Sequence, residues 1–373
     1  MSNTHCPMIH GGLQINLKRH HSNIFVNQCC LRNDLTVAQG NVWDSSALTP
    51  LRELNKEDKW SPGCWTCHGN ELAGMSSLRT GMLEKFGIRT GLAGPQRLDL
   101  MFDIGCNLAC RTCGPSVSTF WQKHMKDNGL AFNGPKPQSR VDDMIAILKT
   151  LDLSNLEMVV FCGGETLLGQ GYWQVAEAIA DMVPNTKDRV TLSFQTNGTQ
   201  PISERNYKTI ERFSLVKLNI SLDAVGNRFE YLRWPAKWDH VTENIKTIRD
   251  SAPVNVMFLI EETISIFNLY YQNELDHWIK EQFATNRLGD PVTHTRHAAN
   301  GIFSLDHLSK DYLDSIPPAT LKQLVKPGWK ENTGAITSML AEINKFDALR
   351  AQDWTTTFPE VAGFYKKFAT AGI

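Results

Sequence analysis

From residue 97 onward the sequence alternates short apolar runs with stretches of helical period, and this alternation restricts the fold more than any other feature. The runs at 97–104, 156–161, 190–195, 215–222, 254–260 and 293–297 are rich in Val, Ile, Leu and Phe. Strands buried on both faces read this way. The segment 139–151 sets Val141, Met144, Ile145, Leu148 and Leu151 on one helical face, with Ser139 as N-cap and Asp142 and Asp143 in the first turn. Segments 171–183, 203–213 and 240–250 behave alike. Six such repeats predict an α/β fold class, a partial (β/α)6 barrel of parallel strands with right-handed crossovers. Ligands in such sheets bind at the carboxyl ends of the strands.

The other segments read differently. Residues 1–95 contain six of the nine cysteines and little periodicity, which predicts a small Cys-rich N-terminal module. Within it, 13–17 and 22–26 are joined by a polar 18–21 turn and predict a hairpin; 91–95 reads as the linker. The barrel is expected over 96–318 and a helical tail over 319–373, including a helix at 336–349. With 38 basic and 39 acidic residues, the charge balance gives no broad surface for nucleic acid or membrane. No apolar stretch approaches the ~20 residues that span a bilayer. The first residues have no basic segment before an apolar core. Nine cysteines in such a chain point to reduced, metal-binding thiols in a cytoplasmic setting.

Cys106, Cys110 and Cys113 follow the first predicted strand at CxxxCxxC spacing. A 4Fe–4S cubane held by three thiolates keeps one iron open to a chelating ligand. A structural zinc site is the alternative, but it needs four ligands. His124 is the nearest candidate for the fourth.

Further motifs end the next strands in order. Gly163, Gly164 and Glu165 end the second; the glycines permit close backbone approach, and Glu165 offers an acceptor for an ammonium. Asn197 ends the third, before Gly198, where it also suits a simple turn. Ser221 and Asp223 end the fourth on one side of the strand, and both suit hydroxyl recognition. Arg233 follows; alone it would read as a solvated charge.

The CxxxCxxC loop followed by Gly163-Gly164-Glu165, Asn197, Ser221, Asp223 and Arg233 resembles the radical S-adenosylmethionine (SAM) superfamily over residues 98–300. The resemblance implies a 4Fe–4S cluster on Cys106, Cys110 and Cys113 whose free iron chelates SAM. It assigns Gly163, Gly164 and Glu165 to the methionine amine, Ser221 and Asp223 to the ribose, and Arg233 to the methionine carboxylate; Asn197 faces the cofactor. Relatives often carry an aromatic residue before the last cysteine, where this chain has Thr112, so the adenine contact differs.

Cys6, Cys29, Cys30, Cys64 and Cys67 form a second constellation. Cys64 and Cys67 are spaced to bite one metal, and Cys6 with Cys29 or Cys30 supplies two more ligands. This resembles a Twitch or SPASM-like module, which implies a second, auxiliary 4Fe–4S cluster; a four-cysteine zinc ribbon is the alternative. Here the module precedes the barrel, whereas SPASM modules usually follow it. The choice between Cys29 and Cys30 is open in the sequence, and the spare thiol and Cys162 read as hydrogen-atom donors or as small buried side chains.

The function so implied is an oxidoreductase that cleaves SAM reductively to a 5′-deoxyadenosyl radical and abstracts hydrogen from a substrate. Peptide or protein substrates are expected first. A Twitch-type dehydrogenase of small molecules and a non-catalytic zinc or iron–sulfur protein are the alternatives. A reducing partner such as flavodoxin or ferredoxin is expected. No side chain is singled out as catalytic.

Overall fold

The computed structural model describes residues 4–17, 23–32, 36–38, 40–72, 76–132, 134, 139–317 and 329–369. One nine-stranded sheet organises them, in the order β3-β2-β1-β4-β5-β6-β7-β8-β9. The strands are β1 (Gly12–Asn16), β2 (Phe25–Asn27), β3 (Thr36–Val37), β4 (Arg97–Met101), β5 (Met158–Phe161), β6 (Thr191–Thr196), β7 (Leu215–Ser221), β8 (Val256–Ile264) and β9 (Thr293–Ala298). β4 to β9 are parallel, and each lies beside the next in the chain. These are the six predicted strands. Among the described residues β9 and β3 remain edges, so the barrel is partial.

The amino-terminal hairpin forms as β1 and β2, antiparallel with Ile15 opposite Val26; the turn expected at 18–21 lies outside the described residues. β1 also pairs in parallel with β4, Gly12 opposite Arg97 and Asn16 opposite Met101. The division expected after residue 95 therefore falls inside one continuous sheet. The boundary expected at 318/319 lies outside the described residues.

Pleating separates the two sides of the sheet. Leu98, Leu100, Val159, Phe161, Leu192, Phe194, Val216, Leu218, Phe258 and Ile260 are all buried. They pack under the helices Val141–Leu148, Gly171–Met182, Glu204–Ile210, Trp238–Ser251 and Gln272–Gln282 that join the strands. The alternate positions form the inward face and are largely polar: Asp99, Ser193, Gln195, Lys217, Asn219, Ser221 and Glu261. Asn219 Nδ2 donates to Ser193 Oγ at 2.7 Å across that face. Strands apolar on both faces were expected; one face instead offers hydrogen-bonding groups, as a ligand chamber requires. β8 runs to Ile264, beyond the expected end at 260. Its polar Glu261 and Glu262 stay in the ladder because Glu261 pairs with Ser221 and the buried Glu262 accepts from His294 and Arg296.

No helix among the described residues is long and apolar enough to cross a membrane. The helix Thr333–Arg350 packs Phe346 and Leu349 against Ala109, Phe120, Trp121 and Trp234, which braces the loop after β4.

Phe161 is fully buried, its ring 5.1 Å from Phe194 and 5.3 Å from Tyr172. Phe161→Ala is expected to cost about 3–5 kcal/mol, read as a lower urea midpoint with unchanged slope.

Candidate active site

The cysteine loop after β4 is anchored at each turn. Asp103 Oδ1 accepts from Gly105 N at 2.6 Å. Thr119 Oγ1 accepts from Cys106 N and donates to Cys106 O, both at 3.1 Å. Ser118 caps the Thr119–Asp127 helix and donates to Leu108 O at 2.6 Å. Trp121 Nε1 donates to Cys110 O at 2.9 Å, and Cys113 N donates to the same carbonyl at 3.1 Å. The loop also takes carbonyls from the segment after β7: Ala109 N donates to Trp234 O and Arg111 N to Leu232 O.

Cys106, Cys110 and Cys113 lie close enough for their charges to interact. Burial raises the Cys106 thiol to about 11, despite a backbone hydrogen bond that favours its thiolate. Burial raises Cys110 further, opposed by the Arg233 guanidinium. Such thiols need a strong Lewis acid to release their protons, as metal binding provides. Among the described residues no three His, Cys, Asp or Glu side chains converge on a point that suits a single ion. Thiolates of a cubane each bind a different iron, so the donor set suits a cluster better than zinc. His124, the candidate fourth zinc ligand, is turned away: its Nε2 meets Arg350 Nε at 3.3 Å and its Nδ1 meets Asn128 Nδ2 at 3.4 Å.

Gly163 and Gly164 are needed for a reason other than ligand approach. A Cβ on Gly163, at φ +138°, would sit 2.3 Å from Asp103 O and 2.5 Å from the Tyr172 hydroxyl; one on Gly164 would sit 2.1 Å from Gly105 O. The pair lets the end of β5 lie directly on the cysteine loop. Glu165 N completes the contact by donating to Gly105 O at 2.7 Å.

Glu165 is buried. Its Oε1 accepts from Thr196 Oγ1 at 2.7 Å and Leu167 N at 3.0 Å, and its Oε2 from Asn197 N at 2.6 Å. Burial holds its carboxyl above the usual range, and these three bonds pull the other way. A carboxylate has about four acceptor sites, so roughly one is left for a ligand. Asn197 makes the turn, its Oδ1 accepting from Thr199 N and Oγ1, while its Nδ2 donates to Asn107 Oδ1 at 3.0 Å.

Asp223 and Arg233 were expected to hold different parts of one cofactor; the structure pairs them. Arg233 Nη2 donates to Asp223 Oδ1 at 2.8 Å, where Thr263 N also donates at 2.9 Å. Burial pulls the guanidinium down, but Asp223 and Cys110 more than offset it, so its proton is held tighter than usual. Asp223 Oδ2 and Arg233 Nε are buried and have no hydrogen-bond partner. Such groups are costly unless a ligand meets them. Ser221 lies one residue pair along, opposite Glu261. The Glu261 carboxyl is raised by burial, against the pull of His297, Gln195 and Arg233.

Sequence reasoning missed Asn107, Thr196, Gln195 and Glu261. The first lies inside the cysteine spacing; the last continues the β8 alternation past an apparent strand end.

Of the amino-terminal cysteines, Cys6, Cys29, Cys64 and Cys67 line one cavity, with Ile9, Trp60 and Arg79. Cys30 does not; it lies near the Asp99 and Arg97 charges of β4. Burial raises Cys6 and Cys29 each to about 12. Four soft donors around an apolar space suit a cluster or a thiophilic ion.

Residues 102–268 match the family model of the Radical SAM superfamily. A GTP 3′,8-cyclase of Streptomyces coelicolor is 30% identical over 156 residues, 40% of this chain and 40% of the cyclase. The chain thus aligns with two fifths of that relative's length. Two solved structures are similar more loosely. Streptococcus suis SuiB bound to S-adenosylmethionine has a TM-score of 0.39 and 14% identity, covering 84% of this chain and 62% of SuiB. The enzyme anSMEcpe with bound AdoMet has a TM-score of 0.38 and 17% identity, covering 69% of this chain and 61% of its own.

Gly164→Ala must drive a methyl into Gly105 O. It is expected to cost about 1–3 kcal/mol, as overpacking does, read as a lower urea midpoint; an unchanged midpoint would show that β5 does not rest on the loop.

Proposed function

With a radical SAM domain at residues 102–268, we propose that the chain is an oxidoreductase that cleaves S-adenosylmethionine reductively and removes a hydrogen atom from a peptide or protein. The observation that carries this reading is the pair of unpartnered buried atoms, Asp223 Oδ2 and Arg233 Nε, beside the cysteine loop. Cys106, Cys110 and Cys113 would hold a 4Fe–4S cluster, which when bound supplies the electron that splits the sulfonium. Glu165 takes the methionine ammonium on its remaining acceptor site. Arg233 Nε meets the methionine carboxylate as a charge-assisted donor. Asp223 Oδ2 and Ser221 accept from ribose hydroxyls, and Asn197 keeps the loop after β6 against Asn107. Gly163 and Gly164 hold the β5 end on the cysteine loop, so these groups keep fixed positions without reorganising.

The inward face receives the substrate. Its Gln195, Glu261, Thr263 and His297 offer donors and acceptors in ladder register, which suits a polar substrate such as a peptide segment. Cys6, Cys29, Cys64 and Cys67 would carry an auxiliary 4Fe–4S cluster, with Cys30 left facing Asp99 and Arg97. A flavodoxin or ferredoxin would supply the electron.

Anaerobic protein reduced in the presence of S-adenosylmethionine is expected to release 5′-deoxyadenosine and methionine, and to bind about eight irons per chain. Cys110→Ala should abolish release and lose about four irons while the amino-terminal site stays loaded. Fully loaded protein that releases no 5′-deoxyadenosine would refute the catalytic reading; about four irons plus one zinc would refute the auxiliary cluster.

A further inference from the structure

Outside the cysteine loop, two buried arginines share one carboxylate. Arg111 donates through Nη2 to Asp347 and to Gln352 Oε1, the latter at 2.8 Å. Asp347 also accepts from Tyr231 OH at 2.8 Å and Trp354 N at 2.7 Å, so its oxygens are well used. Arg350 ends the Thr333–Arg350 helix and is 7% exposed. Its guanidinium carbon lies 4.6 Å from the Trp121 ring centre and 4.8 Å from that of Trp234. Nε reaches His124, but Nη1 and Nη2 have no partner. Cation–π contact with two indoles offsets part of the burial, yet no carboxylate faces this charge. Burial and the Arg111 charge together lower its proton affinity to about 9.

Arg350 lines a cleft of about 470 Å³, with Tyr231, Trp234, Lys237, Gln352 and Thr356. Two carboxylates also border it, and each is satisfied locally. Glu230 accepts from Lys237 Nζ and Trp238 N; Asp353 caps the Trp354–Thr357 helix, accepting from Thr355 and Thr356. Neither neutralises Arg350. A guanidinium with two free N–H-bearing nitrogens is a planar fork matched to an oxyanion. The cleft has the volume of a small-molecule site.

We propose that this cleft binds a small oxyanion, a phosphate or a carboxylate, on Nη1 and Nη2 of Arg350. The site is separate from the groups assigned to S-adenosylmethionine and needs neither cluster nor cofactor. It touches Trp121, whose indole holds the Cys110 carbonyl, so its occupant borders the cysteine loop.

The test is calorimetric titration of the full-length, anaerobically purified protein with inorganic phosphate and, separately, with acetate, at constant ionic strength. Saturable one-to-one binding is expected for at least one, and the tighter of the two identifies the chemistry. Arg350→Gln should weaken it by about tenfold to a hundredfold, the loss typical of deleted charge-assisted hydrogen bonds. Arg350→Lys, which keeps the charge but not the fork, should fall between. Without anion, Arg350→Gln should melt no lower than the wild type, because an uncompensated charge has gone, and its melting should no longer respond to phosphate or acetate. Absence of saturable wild-type binding of either anion overturns the proposal, as it would if the arginines served only as countercharge to the cysteine loop. Undiminished binding by Arg350→Gln overturns it equally. Should that variant not fold, the wild-type titrations with Arg350→Lys decide.

Discussion

The site depends on one contact, backbone against backbone, where the end of β5 lies on the loop after β4. Cβ atoms at Gly163 and Gly164 would overlap Asp103 O and Gly105 O, so no side chain other than hydrogen fits there without displacing the cysteine loop. Glu165 follows at once and reaches Thr196 and Asn197 at the end of β6, and Asn197 returns to Asn107 in the cysteine loop. Three strand ends are thereby closed into a ring of short, directional bonds. Rigid positioning of this kind is what a centre needs if it is to hold a reactive cofactor without reorganising.

Charge is managed tightly around that ring. Asp223 and Arg233 neutralise each other in the interior, and removing either partner would strand the other. Each nevertheless keeps one unpartnered polar atom, which separates this pair from a purely structural ion pair. Glu262 is different. It is buried but fully engaged with His294 and Arg296, so it steadies the β8–β9 edge and has no comparable opening. Arg350 is the buried charge that the fold itself leaves unanswered.

Much of this was legible in the sequence. The six parallel strands were, because their outward residues are apolar at every second position and their helices carry matching stripes. The cysteine loop and the strand-end motifs were legible as spacing. The pairing of Asp223 with Arg233 was not, because ten residues of chain separate them and only the turn after β7 brings them together. The role of Gly163 and Gly164 was misread, since a glycine pair signals close approach without saying what approaches. The end of β8 was misplaced because Glu261 and Glu262 look like solvent-facing residues until β7 and β9 are set beside them. The place of β1 at the barrel edge was hidden for a similar reason: a short hairpin carries no local sign of the strand it will join. Cys29 and Cys30 are adjacent in the chain, and only the fold sends one to the four-cysteine cavity and the other toward Asp99.

The central claim is that three cysteines hold a cluster with one iron open to S-adenosylmethionine. Electron paramagnetic resonance of the reduced, anaerobic protein tests it most directly, recorded before and after S-adenosylmethionine is added, with Cys6→Ala/Cys64→Ala protein used to remove the amino-terminal signal. The account predicts that the remaining cluster spectrum changes on addition, because a ligand joins the open iron. A cluster spectrum that S-adenosylmethionine leaves unaltered would contradict it.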